Sequence, residues 1–163
     1  MSLSFIDHVR YAEENEAQEL IEDFIRKNEG NVEKVKSMLI SLLRSPERKV
    51  RRATLMAIKN TKFSEVDLIH KCATLTREDP ENSIRAAAYE TVMHILQNAS
   101  ADTKRELAIA VLKLISEGKA TIDVTDIVKS IGENFAKELL RDTTLDEEIR
   151  DVIKYALEYL EQK

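Results

Sequence analysis

The 163-residue chain has no Trp, and only three Gly, two Pro and one Cys. So few glycines and prolines cannot punctuate a many-stranded sandwich or barrel, in which most turns need one. The single cysteine, Cys72, excludes an internal disulfide framework and fits a reducing compartment. No apolar run approaches the roughly 18 residues of a membrane span, and no charged-then-apolar secretion signal opens the sequence. The expectation is a cytoplasmic protein with no membrane partner.

Catalytic and metal signatures are equally sparse. The three glycines stand far apart, so no phosphate-cradling loop forms. His70 and Cys72 are two residues apart, and such positions on a helix do not share a face. With His8 and His94 elsewhere, the four N/S ligands of structural zinc do not assemble. Glu13, Glu14, Glu16, Glu147 and Glu148 lie in polar stretches and read as solvated carboxylates rather than an acid/base couple. No enzyme activity, cofactor or metal is expected.

What is present is a globular composition: 43% apolar and 34% charged residues. That is enough for a core and a solvated surface, and the length fits one domain. The net charge is −5, whereas domains that live on nucleic acid are usually basic.

The sequence repeats itself. Ser45-Pro46-Glu47-Arg48-Lys49-Val50-Arg51-Arg52-Ala53 recurs 34 residues later as Asp79-Pro80-Glu81-Asn82-Ser83-Ile84-Arg85-Ala86-Ala87. Each copy opens with a good N-cap followed by Pro, which is tolerated at the first helical position. Small or apolar residues then follow at helical offsets: Ala53, Thr54, Ala57 and Ile58, against Ala87, Ala88, Thr91 and Val92. A third copy, Ile149-Arg150 with Val152, Ile153, Ala156 and Leu157, lacks the Pro but carries Asp146, Glu147 and Glu148 at its start. A degenerate copy without the Arg is expected at Val124, Ile127, Val128 and Ile131, ended by Gly132.

Partner helices precede these copies. Val35, Met38, Leu39, Leu42 and Leu43 form an amphipathic stripe, as do Val66, Ile69, Cys72, Ala73 and Thr76. Leu107–Ile115 is apolar nearly all round, and Phe135, Leu139 and Leu140 suggest a short helix. Ala17, Leu20, Ile21, Phe24 and Ile25 mark a stripe nearer the start. One continuous domain over 1–163 follows, with 1–29 as an N-terminal capping region and 31–163 as about four helix pairs. A single pair cannot bury its apolar stripe, so successive pairs must stack.

The repeated segment, with its Pro46, Val50 and Arg51 or Pro80, Ile84 and Arg85, closely resembles the second helix of HEAT and HEAT-like (armadillo-type) repeats; Ile149 and Arg150 extend the likeness. The resemblance implies an all-α, right-handed α–α superhelix of about eight or nine helices, with second helices lining an inner surface. It also implies that Arg51, Arg85 and Arg150 act structurally, each pairing with an acid at an inter-helix turn. Ser45 and Thr144 stand where that acid would be, and only Asp79 supplies one.

At 100° per residue, Arg48, Arg52 and Lys59 project away from the apolar set of their helix, with Leu55 beside them. The same offsets select Asn82, Ala86, Tyr89 and Met93 in the second copy, and Glu147, Asp151, Lys154 and Glu158 in the last. Residues 44–62 hold seven basic side chains against Glu47 alone, whereas residues 1–29 hold eight acidic and three basic. Such a basic segment is the place to expect an acidic protein partner. Arg48, Arg52, Leu55, Lys59, Tyr89 and Met93 are therefore the candidate partner-binding residues of a non-enzymatic scaffold, monomer or homodimer. The alternatives are a nucleic-acid module resembling HEAT-like DNA alkylation-repair glycosylases, or an accessory subunit of an enzyme.

Overall fold

The computed structural model describes residues 4–162, and its regular elements are all helices. They are α1 (Phe5–Tyr11), α2 (Glu14–Lys27), α3 (Val32–Leu43), α4 (Arg48–Thr61) and α5 (Val66–Glu78), then α6 (Asn82–Asn98), α7 (Ala101–Ser116), α8 (Val124–Ile131), α9 (Glu133–Leu140) and α10 (Glu147–Glu161). Ten helices among the described residues exceed the eight or nine expected. The addition is α1, a seven-residue helix with only Val9 buried and hence no stripe to read. It is separated from α2 by Ala12 and Glu13, without Gly or Pro to mark the break.

The expected apolar stripes face the core: Val35, Leu39, Leu42 and Leu43 on α3 are buried, as are Leu107, Ala108, Val111, Leu112 and Leu114 on α7, while Met38, Leu20, Phe24, Val66, Phe135, Leu140 and Val152 are half-buried against it. The degenerate copy folds as α8, with Val124, Ile127, Val128 and Ile131 all inside. It stops where expected, at Gly132, whose φ of 96° suits glycine and turns the chain directly into α9.

Consecutive helices pair (α1 with α2, α3 with α4, α5 with α6, α7 with α8, α9 with α10), and the even-numbered members also form a run. In that run α2 packs on α4, α4 on α6, α6 on α8, and α8 on α10. On the other side α3 packs on α5 and α5 on α7. One apolar cluster runs through these contacts from Val9 to Leu157.

The turns ahead of α4 and α6 depart from the sequence expectation in an instructive way. Ser45 and Asp79 do not cap the helices, and Pro46 and Pro80 do not occupy the first helical position; both prolines lie in the turn. The helices begin at Arg48 and Asn82, behind Glu47 and Glu81, which make no side-chain cap bond. Ser45 Oγ instead accepts from Glu47 N at 3.2 Å, and Asp79 Oδ1 from Glu81 N at 3.0 Å. Each is a local side-chain-to-backbone turn of the kind Ser and Asp favour. The displacement leaves the Asp79 carboxylate, 3% exposed, facing the preceding helix pair.

Candidate partner-binding surface

The solvent side of α4 is built by subtraction from its seven-residue basic segment. Lys49 is used internally: its Nζ donates to the carbonyls of Arg10 (2.7 Å) and Ala12 (2.6 Å) at the end of α1, where the helix dipole favours a cation. Arg51, on α4, is buried against the turn ahead of α6. Its Nε and Nη2 donate to Asp79 Oδ2 and Oδ1 at 2.8 and 3.1 Å, and its Nη1 to Ser45 O at 3.0 Å. This two-pronged pair is the pairing with a turn acid that the resemblance implies. Among the described residues, Arg85 and Arg150 reach only carbonyls of their own turns, Asp79 O at 2.6 Å and Leu145 O at 3.3 Å.

Five basic residues of the segment remain. Arg44, Arg48 and Lys62 are exposed, and none forms an ion pair among the described residues. Arg52 lies 3.9 Å from Glu14 on α2, and Lys59 lies 3.5 Å from Glu90 on α6. Exposed pairs at such distances are worth little and are screened by salt. Arg48, Arg52 and Lys59 thus share the outward side of α4, as the helical offsets require. On α6, burial first, then the charges of Lys59 and Lys62, hold the His94 imidazole below its usual value.

Leu55 corrects the sequence reading. It is fully buried, not exposed beside the basic strip. Because α4 is packed between α2 and α6, its buried arc is wider than a helix covered on one side would have; Thr91 Oγ1 of α6 lies 3.4 Å from the Leu55 carbonyl. Leu55 is core and takes no part in a docking face.

Tyr89 and Met93 are half-buried rather than openly displayed. The Tyr89 hydroxyl donates to Asp126 of α8 and accepts from Asp123 N at 3.2 Å. Burial, then the bond to Asp126, pushes the phenol up to about 12. Met93 Sδ accepts from Ser130 Oγ at 3.2 Å. Both side chains therefore join α6 to α8 before they could meet anything else. Asn82 and Ala86 of the same strip are exposed, as are Glu147, Asp151, Lys154 and Glu158 on α10.

The remaining titratable candidates do not assemble. Cys72 is buried, and that burial pushes its thiol up to about 12, while His70 is exposed. Among the described residues no group of three or more His, Cys, Asp or Glu side chains is arranged to hold a metal ion, and no helix is long and apolar enough to cross a membrane. No protein-family model, curated protein or solved structure matches this chain.

Sequence reasoning missed two features of this surface. The Tyr89–Asp126 bond depends on the register between α6 and α8, for which no local signal exists. The use of Lys49 was hidden because α1, whose carbonyls it holds, was itself not legible.

Proposed function

We propose that the chain is a HEAT-like repeat scaffold, a short right-handed α–α superhelix without enzyme activity, that binds an acidic segment of a protein partner on its second-helix surface, along α4. The observation that carries this reading is the strip Arg48, Arg52 and Lys59 on α4: three cations on one side of one helix, with no strong carboxylate partner. The repeated turn and the side-by-side run of α2, α4, α6, α8 and α10 support the stack in which such a strip would face an inner groove.

Flanking charge favours a protein over a duplex as the partner. Glu14 and Glu22 border α4 on the α2 side and Glu90 on the α6 side, so the basic strip is one helix wide. A duplex presents phosphates along its whole length and would meet these carboxylates too. An acidic peptide can follow the strip alone.

The test is a titration of fluorescent poly-glutamate and of duplex DNA, read by anisotropy. Poly-glutamate should bind at low salt and weaken about tenfold or more when Arg48, Arg52 and Lys59 are changed together to Glu, with the circular dichroism spectrum unchanged. Duplex binding that equals or exceeds poly-glutamate binding would overturn the reading, as would a triple variant that binds like the wild type.

A further inference from the structure

Arg51 and Arg85 occupy the same place in successive copies of the repeat, and the structure uses them differently. In both, Nη1 holds a carbonyl of its own turn, Ser45 O or Asp79 O. The other edge of Arg51, Nε with Nη2, grips a carboxylate supplied by the next turn, on Asp79. Asp79 is the third residue ahead of α6. The third residue ahead of α8 is Thr121, which has no carboxylate. The corresponding Nε/Nη2 edge of Arg85 makes no hydrogen bond or ion pair among the described residues.

Arg85 is half-buried beside an open groove. Arg85 and Thr121 line one open groove of about 530 Å³ together with Thr76, Ala86, Tyr89 and Glu90. Thr76 Oγ1 accepts from Thr121 N at 3.0 Å, which fixes the next turn across from Arg85. Tyr89 is immobilised through Asp126 and Asp123 N, so one wall is rigid. Glu90 is the one carboxylate among these lining residues, and Lys59 lies 3.5 Å from it.

The geometry points to a carboxylate-binding subsite at Arg85: its free Nε/Nη2 edge receives an Asp or Glu side chain of a partner protein, in the manner in which Arg51 receives Asp79. A guanidinium offers a planar pair of parallel N–H donors that match a carboxylate. The chain's own preceding copy displays that match. The site rests on a different cation from the α4 strip and can exist whether or not that strip binds anything.

The test uses the arginine Nε–Hε resonances of the full-length 15N-labelled protein. A blocked diglutamate peptide should shift the Arg85 resonance saturably, and inorganic phosphate at equal ionic strength should shift it at least several-fold less. Thr121→Asp supplies the missing carboxylate within the chain. It should move the Arg85 resonance with no ligand present, abolish its response to the peptide, and raise Tm by about 2–4 °C; Thr121→Asn should do none of these. Thr121 is exposed, so neither variant threatens the core. An unmoved Arg85 resonance in Thr121→Asp, or a phosphate response equal to the peptide's, would overturn the assignment. The Thr121→Asp measurement involves no partner, so its outcome is independent of the α4 strip.

Discussion

Arg51 and Asp79 are 28 residues apart, yet their buried side chains meet through two hydrogen bonds of 2.8 and 3.1 Å, with Ser45 O completing the arginine's set. The pair joins the start of one repeat copy to the start of the next. It spaces α4 and α6, the helices whose exposed sides carry the candidate surface.

Breaking that pair should be costly and the cost specific to it. Asp79→Ala leaves a guanidinium buried without its carboxylate, an arrangement that costs about 3–5 kcal/mol. Arg85→Met removes one hydrogen bond from a half-buried side chain and should cost about 1 kcal/mol. Urea unfolding midpoints should therefore fall much further for the first variant than for the second. Equal losses would mean that the buried pair does not fasten the repeats.

Leu55 and Arg52 are three residues apart on α4 but belong to different regions. Leu55→Ala should destabilise by about 2–5 kcal/mol, the usual range for a deleted core side chain. Arg52→Ala, half exposed and 3.9 Å from its nearest carboxylate, should change stability by no more than about 0.5 kcal/mol. Poly-glutamate binding should respond in the opposite order: weakened by Arg52→Ala, and unchanged by Leu55→Ala under conditions where that variant remains folded.

Tyr89 makes stability depend on pH at the alkaline end. Its folded value is raised to about 12 from an ordinary 10.0, so the native state favours the protonated phenol. The stability it contributes is complete below pH 10 and is lost as pH rises through about 12. Tyr89→Phe should be less stable than the wild type at pH 8 by about 1 kcal/mol, the worth of its hydrogen bonds. The gap between the two proteins should close between pH 10 and 12. A gap that stays constant across that range would separate Tyr89 from Asp126 and Asp123.

Cys72 should behave as a core thiol. It is fully buried, and that burial pushes it up to about 12, so neither access nor thiolate is available to a reagent at pH 8. Reaction with a disulfide reagent should proceed only at the rate at which the chain opens, and should become immediate in 6 M guanidinium. A fast native reaction would place Cys72 at the surface.

Much of this organisation was legible in the chain itself. The 34-residue recurrence from Ser45 to Asp79 marks α4 and α6, and Gly132 ends α8 because the turn there needs a positive φ. What escaped was set by neighbours rather than by sequence position. Leu55 lies outside the expected stripe because helices on both flanks widen the buried arc of α4. Ser45 and Asp79 look like caps, but the helices begin three residues later, and the freed Asp79 carboxylate turns to Arg51. The empty edge of Arg85 emerges only once Thr121 is seen across the groove from it.

The most direct measurement is a map of backbone amide shifts as blocked poly-glutamate is titrated into the 15N-labelled protein at low salt. The expected result is a continuous track on the exposed side of α4 around Arg48, Arg52 and Lys59, fading as salt is raised. Shifts centred on α3, α5 or α7, or scattered without relation to the even-numbered helices, would contradict a binding face there.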